Sequence, residues 1–363
     1  MLLAVHRWTR RAVRGFQLLL LILHPTQADH ARVPKMGDVG GAAPAKGTSL
    51  FLQIVEHQDG TISRPTVPVV PPTGDDHPDS SSVLSKDVPL DPTHKSFLRI
   101  YRPNLPSSQK LPIVIFFHGG GFVVFSTASV FYHGFCEQMA AALPALVISL
   151  DYRLAPEHRL PAAYEDAVEA ILWVRAQAQD PAAGEPWVTS GDFSRCFLMG
   201  SSSGANMAYH AGLRAVALEL QPIRLVGLIL NQPYFGGVER TRSELASEED
   251  VVLPLCANDM MWRLALPEGA DRDHEFSNPV VAPPRPIRLP RCMVKGCQGD
   301  PLIDRQRAFV KMLEEEEGAS VVARLDEGGF HAIELFDPGR GQALFAEVRD
   351  FISSSVVDAA AAS

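Results

Sequence analysis

The chain has 363 residues, 46% of them hydrophobic and 21% charged, with a net charge of −9 and an isoelectric point near 5.7. That balance excludes a disordered or collagen-like polymer and lets a large core form without disulfide or metal staples. The acidic charge disfavours a phosphate-backbone partner, so no nucleic-acid role is expected.

Met1 to Gly15 holds four arginines and no acid, followed by an apolar run from Phe16 to Leu23 and then Thr26-Gln27-Ala28. The pattern suits a signal peptide, a transit peptide or a dispensable extension. The run is too short to span a bilayer, so no stable membrane insertion is expected. Residues 1–48 are therefore set apart as an extension and 356–363 as a disordered tail, leaving a single domain over 49–355. A cytoplasmic location follows unless residues 1–28 act as a secretory or organellar address. Five cysteines, at 136, 196, 256, 292 and 297, form no CxxC pair. Free thiols of a reducing compartment are expected, with neither a disulfide framework nor a metal site.

From Pro65 to about Lys95 the sequence is rich in Pro, Ser and Asp and predicts irregular chain on the surface. Ser96 to Tyr101 alternates like a half-exposed strand. Short continuous apolar runs follow at 113–117, 145–150, 196–199, 225–230 and 292–294. Each predicts a strand buried on both faces, as parallel strands under helices require. Helical spacing is evident over 162–177, where Tyr164, Val168, Ile171 and Val174 share a face, and again over 204–220 and 304–316. A last strand at 321–325 and helix at 342–352 complete an α/β pattern with a mostly parallel sheet covered on both faces. Ligands on such sheets sit beyond the carboxyl ends of the strands. Residues 236–279 interrupt the alternation and predict an inserted segment over those ends.

Three motifs lie at predicted strand ends. Gly200-Ser201-Ser202-Ser203-Gly204 joins a strand to a helix, the G-x-S-x-G turn that projects its central serine hydroxyl from the sheet. His118-Gly119-Gly120-Gly121-Phe122 also follows a strand. It lacks the G-x-G-x-x-G spacing or Walker lysine of a phosphate loop. Its free amides at Gly119 and Gly120, with that of Ser203, are candidate donors to an oxyanion. His118 itself is expected to be structural. A reactive serine needs a base and an acid after later strands. Asp300 and His331 stand in that order, Asp300 in Gly299-Asp-Pro-Leu302 and His331 behind Gly328 and Gly329. Asp304 is the rival acid, but its place suggests an N-cap for the 304–316 helix.

His118-Gly-Gly-Gly-Phe122, Asp151-Tyr-Arg-Leu-Ala-Pro-Glu157 and Gly200-Ser-Ser-Ser-Gly204 together resemble the hormone-sensitive-lipase group of α/β-hydrolases. Asn231-Gln-Pro-Tyr-Phe-Gly-Gly237 and Trp262-Arg-Leu-Ala-Leu-Pro-Glu-Gly-Ala270 resemble its plant carboxylesterase branch, which includes the gibberellin receptors. Many relatives carry Asp before the serine and Ala after it, where this chain has Ser201 and Ser203. The resemblance covers about residues 50–355. It implies an α/β-hydrolase fold with a helical cap built from residues 49–95 and 236–279. It further implies a cofactor-free serine esterase, monomeric or homodimeric, taking a small ester through Ser202, His331 and Asp300. The receptors lack the histidine that stands here at 331, so a receptor-like binding protein is the lesser alternative.

Overall fold

The computed structural model describes residues 49–74, 82–105, 110–281, 289–316 and 320–361. The N-terminal extension, with its apolar run, lies outside them. Eight strands form the central sheet: β3 (Val83–Asp91), β4 (Ser96–Pro103), β5 (Leu111–Phe117), β6 (Leu146–Asp151), β7 (Gly191–Ser201), β8 (Leu225–Asn231), β9 (Arg291–Cys297) and β10 (Val321–Asp326). A separate two-stranded ribbon pairs β1 (Val55–Glu56) with β2 (Ile62–Ser63). The sheet order is β10-β9-β8-β7-β5-β6-β4-β3, parallel from β10 to β6, with β4 and β3 added antiparallel.

Alternation along each inner strand divides the core in two. Ile113, Ile115 and Phe117 of β5 pack under α2 (Ala162–Gln179), α3 (Ser203–Ala215) and α6 (Ile303–Glu315). Val114 and Phe116 face α1 (Val130–Ala142) and α7 (Pro338–Ala361). Two short helices, α4 (Arg242–Ala246) and α5 (Leu255–Ala265), belong to the inserted segment.

Several expectations are corrected. Residues 83–91 are not irregular chain but the antiparallel edge strand β3. Its presence turns β4 into an interior strand, so that Ile100 and Tyr101 are fully buried rather than half exposed. The Arg99 guanidinium is buried there too, and it donates to both carboxylate oxygens of Asp87 at 2.6 and 2.7 Å. The helix predicted over 204–220 stops at Ala215, and α7 runs on to Ala361 through the expected tail. Helix α1 adds an element the sequence reading lacked, with Tyr132, Phe135, Cys136, Met139 and Ala140 turned inward.

All five cysteines are free thiols, and only Cys256 is exposed. Burial pushes Cys196, Cys292 and Cys297 up to about 12, leaving them protonated and inert at neutral pH. A disulfide-exchange reagent should therefore titrate one thiol in the native protein and five after unfolding. Cys256→Ser should abolish the native reading, and rapid reaction of a second native thiol would contradict this burial. No helix among the described residues is long and apolar enough to cross a membrane.

Candidate active site

Strand register places the site. Phe117 pairs with Gly200, Ser201 with Asn231, Asn231 with Lys295, and Cys297 with Asp326, so the five strands end within a few residues of one level. The loops leaving that level carry the predicted residues into one cluster.

Ser202 stands between β7 and α3 at φ 55° and ψ −120°, a conformation L-residues adopt only under constraint. The surroundings supply that constraint. Its amide donates to Asn231 O at 2.9 Å, and its carbonyl accepts from Tyr234 and Ala205 at 3.1 and 3.0 Å. The turn must also press against the end of β5, where a Cβ on Gly204 would lie 1.9 Å from Phe117 O. Only glycine fits there.

The Ser202 hydroxyl lies 2.9 Å from His331 Nε2, and His331 Nδ1 lies 3.1 Å from each Asp300 carboxylate oxygen. A carboxylate only accepts, so Nδ1 carries the proton and Nε2 is left to accept from Ser202. Asp300 is held in turn by the Leu302 amide on Oδ1 and by Gln306 Nε2 on Oδ2, each at 2.9 Å. Asp304, the rival, has other duties. It sits in the first turn of α6 rather than at its cap, accepts from the Ser243 amide at 2.9 Å and pairs with Arg307.

Gly119 packs directly against the serine: a Cβ there would lie 3.1 Å from Ser202 Cβ and 2.5 Å from the Tyr132 hydroxyl. Gly120, at φ 121°, lines the same cavity as Ser202 and His331. Ser203 opens α3, where the first amides have no partner within the helix. His118 does not line the cavity. It stacks on Tyr152 with ring centroids 4.2 Å apart, and burial drives its imidazole down to about 4, so it is neutral.

The cavity holds about 520 Å³ including its open mouth. Leu50 and Phe51 of the N-terminal segment and Val252 of the insertion wall it, together with Phe125, Phe131 and Phe336. Those two segments are tied together: Ser49 Oγ donates to Val252 O at 2.7 Å, and Arg263 holds Glu56 at 2.6 and 2.8 Å.

Four residues of the site escaped sequence reading. Tyr132 reaches it from α1, where burial and then Glu334 push its phenol well up against an opposing Gly119 backbone hydrogen bond. Asn231 Nδ2 donates to Ser201 Oγ at 3.0 Å and to the buried Glu334 carboxylate at 2.6 Å, joining the serine turn to the histidine loop. Gln232 bonds that loop as well. For Asn231 and Gln232 the available signal was their place at the carboxyl end of a buried apolar run, Asn231 closing β8 and Gln232 following it.

A family profile for the α/β-hydrolase fold matches residues 114–335. The chain belongs to the α/β-hydrolases. Probable carboxylesterase 8 of Arabidopsis thaliana is 45% identical over 322 residues, covering 86% of this chain and 95% of that protein. A 3-O-acetylpapaveroxine carboxylesterase of Papaver somniferum is 47% identical over 281 residues, covering 74% and 90%. The chain is thus a member of the plant carboxylesterase branch. Among solved structures, a hyperthermophilic esterase of the archaeon Pyrobaculum calidifontis superposes with a TM-score of 0.65 at 26% identity, covering 76% of this chain and 86% of that one.

Proposed function

We propose that the protein hydrolyses small, uncharged carboxylic esters through Ser202, His331 and Asp300. The observation that carries this reading is the unbroken hydrogen-bonded path from Ser202 through His331 to Asp300 at the wall of an apolar cavity. As Ser202 Oγ attacks the ester carbonyl carbon, His331 Nε2 takes its proton and Asp300 stabilises the imidazolium. The carbonyl oxygen becomes an oxyanion, received by the amides of Gly119, Gly120 and Ser203. Collapse breaks the carbon–alkoxy bond, His331 returns the proton to the departing alcohol, and Ser202 is left acylated. Water, deprotonated by the same histidine, then releases the acid and restores the serine. A receptor-like role is the weaker reading, because binding alone requires no base against the serine.

The cavity wall sets the substrate class. Among the described residues no Asp, Glu, Lys or Arg lines it, so a charged substituent entering it would lose its water without gaining a partner there. The O-acetylated substrate in the Papaver relative's name is in keeping with a small acyl group. p-Nitrophenyl acetate and butyrate should be turned over, and the p-nitrophenyl hemiester of succinate should react at least roughly 100-fold more slowly. Comparable kcat/KM for the neutral and charged esters would overturn the assignment of substrate class.

The pH profile tests the base. Burial alone pushes the His331 imidazole down, but Asp300, with Glu334 and Asp250, raises it above the ordinary value of 6.5. Only the neutral ring accepts the serine proton, so activity is present above the raised value and lost as pH falls through it. The acid limb of kcat/KM should therefore lie above about 6.5. A limb below that value would contradict the Asp300–His331 coupling.

A further inference from the structure

We infer that Gln232 is a positioning residue for His331, an inference that rests on the base role proposed above. Gln232 is the first residue past β8. It is buried, and its left-handed backbone at φ 45° is held by its amide donating to Lys295 O at 2.8 Å. From there its side chain reaches across to the histidine loop. Nε2 donates to Phe330 O at 3.0 Å and Oε1 accepts from the Ala332 amide at 2.7 Å. One carboxamide thus grips the peptide groups on both sides of His331. Its orientation follows from the partners, since a carbonyl only accepts and an amide N–H only donates. Nε2 also lies 3.2 Å from Cys297 Sγ, a weak acceptor on β9.

The loop needs such a grip. Ala332 is itself left-handed at φ 60° although it carries a Cβ, so the turn after His331 is not one the chain would choose alone. The bond from Asn231 to Glu334 ties the loop three residues further on, and Phe330 O also takes the Ile333 amide at 3.3 Å and the Cys297 thiol at 3.6 Å. Among the described residues, however, only Gln232 holds the peptide groups on both sides of His331 at once. His331 must keep Nε2 on Ser202 and Nδ1 on Asp300 at once, and a displacement of about 1 Å at a reacting group commonly costs about 100-fold in rate. Gln232 does not line the cavity, so its effect is on kcat rather than on substrate binding.

Gln232→Met keeps the length of the side chain and removes both hydrogen bonds. Its kcat for p-nitrophenyl butyrate should fall about 100-fold with KM within about three-fold of wild type. Its acid limb should move to lower pH, because a histidine released from Asp300 returns toward its ordinary value. Proton NMR supplies a readout independent of turnover: the downfield His331 Nδ1–H resonance, bonded to Asp300, should broaden or vanish in the variant. Met139→Ala, a core truncation on α1 outside the cavity, serves as the control for lost stability. If Gln232→Met does not fold, Gln232→Asn, one methylene too short to hold both peptides, takes its place with the same expectations.

The inference is overturned if kcat stays within three-fold, or if the resonance is unchanged. It is equally overturned if Met139→Ala, at a matched loss of Tm, loses kcat to the same extent. A wild-type protein that turns over no ester would refute the hydrolase reading, while the resonance would still decide the role of Gln232.

Discussion

Ser202→Ala should lower kcat toward p-nitrophenyl butyrate by about 10⁶-fold while leaving KM nearly unchanged. The reason is local. Among the described residues lining the cavity, Ser202 offers an oxygen with a proton acceptor at 2.9 Å, and the Cβ that remains in alanine still fills its place in the turn. Melting should hold close to wild type, or rise, because the variant sheds a buried hydroxyl and keeps the strained backbone around it. A residual rate above the uncatalysed reaction is expected from the Gly119, Gly120 and Ser203 amides, which do not depend on the nucleophile. Equal turnover by the two proteins would end the serine mechanism. Labelling by a phosphonate ester gives the same answer in another way, since wild type should be modified at Ser202 and the variant left untouched.

Asp300→Asn should cost about 10⁴-fold in kcat, and Asp304→Asn no more than a few-fold. An asparagine at 300 can turn its NH₂ toward His331 Nδ1, which then becomes an acceptor. Nε2 in that tautomer bears the proton, and Ser202 loses its base although every heavy atom stays in place. The Leu302 amide and Gln306 both donate to Asp300, and they oppose an NH₂ on one oxygen site or the other, so some loss of stability should accompany the loss of rate. Asp304 contributes only to the junction of α4 with α6 and to an exposed pair with Arg307, an arrangement of small net value. Stopped assays of both variants at pH 8, alongside thermal melts, distinguish the two carboxylates. A larger loss from Asp304→Asn would reverse their roles.

Much of this molecule is legible along the chain because its strongest signals are local. Ile113 to Phe117 is apolar on both faces, and this excludes a solvent-facing strand whatever its neighbours turn out to be. The glycines about Ser202 mark a turn whose strain comes from backbone sterics alone. Asp300 and His331 could be chosen because each follows a buried strand and the serine precedes both. Asp304, expected at a helix cap, stands in the first turn of α6 instead and serves Ser243 and Arg307. Strand β3 was missed for a simple reason. Its outer half is exposed and broken by Pro89, so its sequence carries little hydrophobic pattern, and its pairing with β4 is what makes it a strand.

Periodicity and short motifs along the chain by themselves pointed to a parallel α/β architecture, the turn at Ser202, the glycine loop and the placing of Asp300 and His331 after later strands. Those properties belong to a few adjacent residues and follow from what such residues do in any chain. Only the tertiary structure decided which strand ends share a level. That in turn placed Leu50, Phe51, Tyr132 and Val252 around the serine, brought Asn231 to Glu334 and set Gln232 against both peptides beside His331. Such contacts join residues far apart in the chain, 100 positions in the case of Gln232 and Ala332, and no periodicity records them. They exist because strand register, set by core packing on both faces of the sheet, converts distance along the chain into proximity in space.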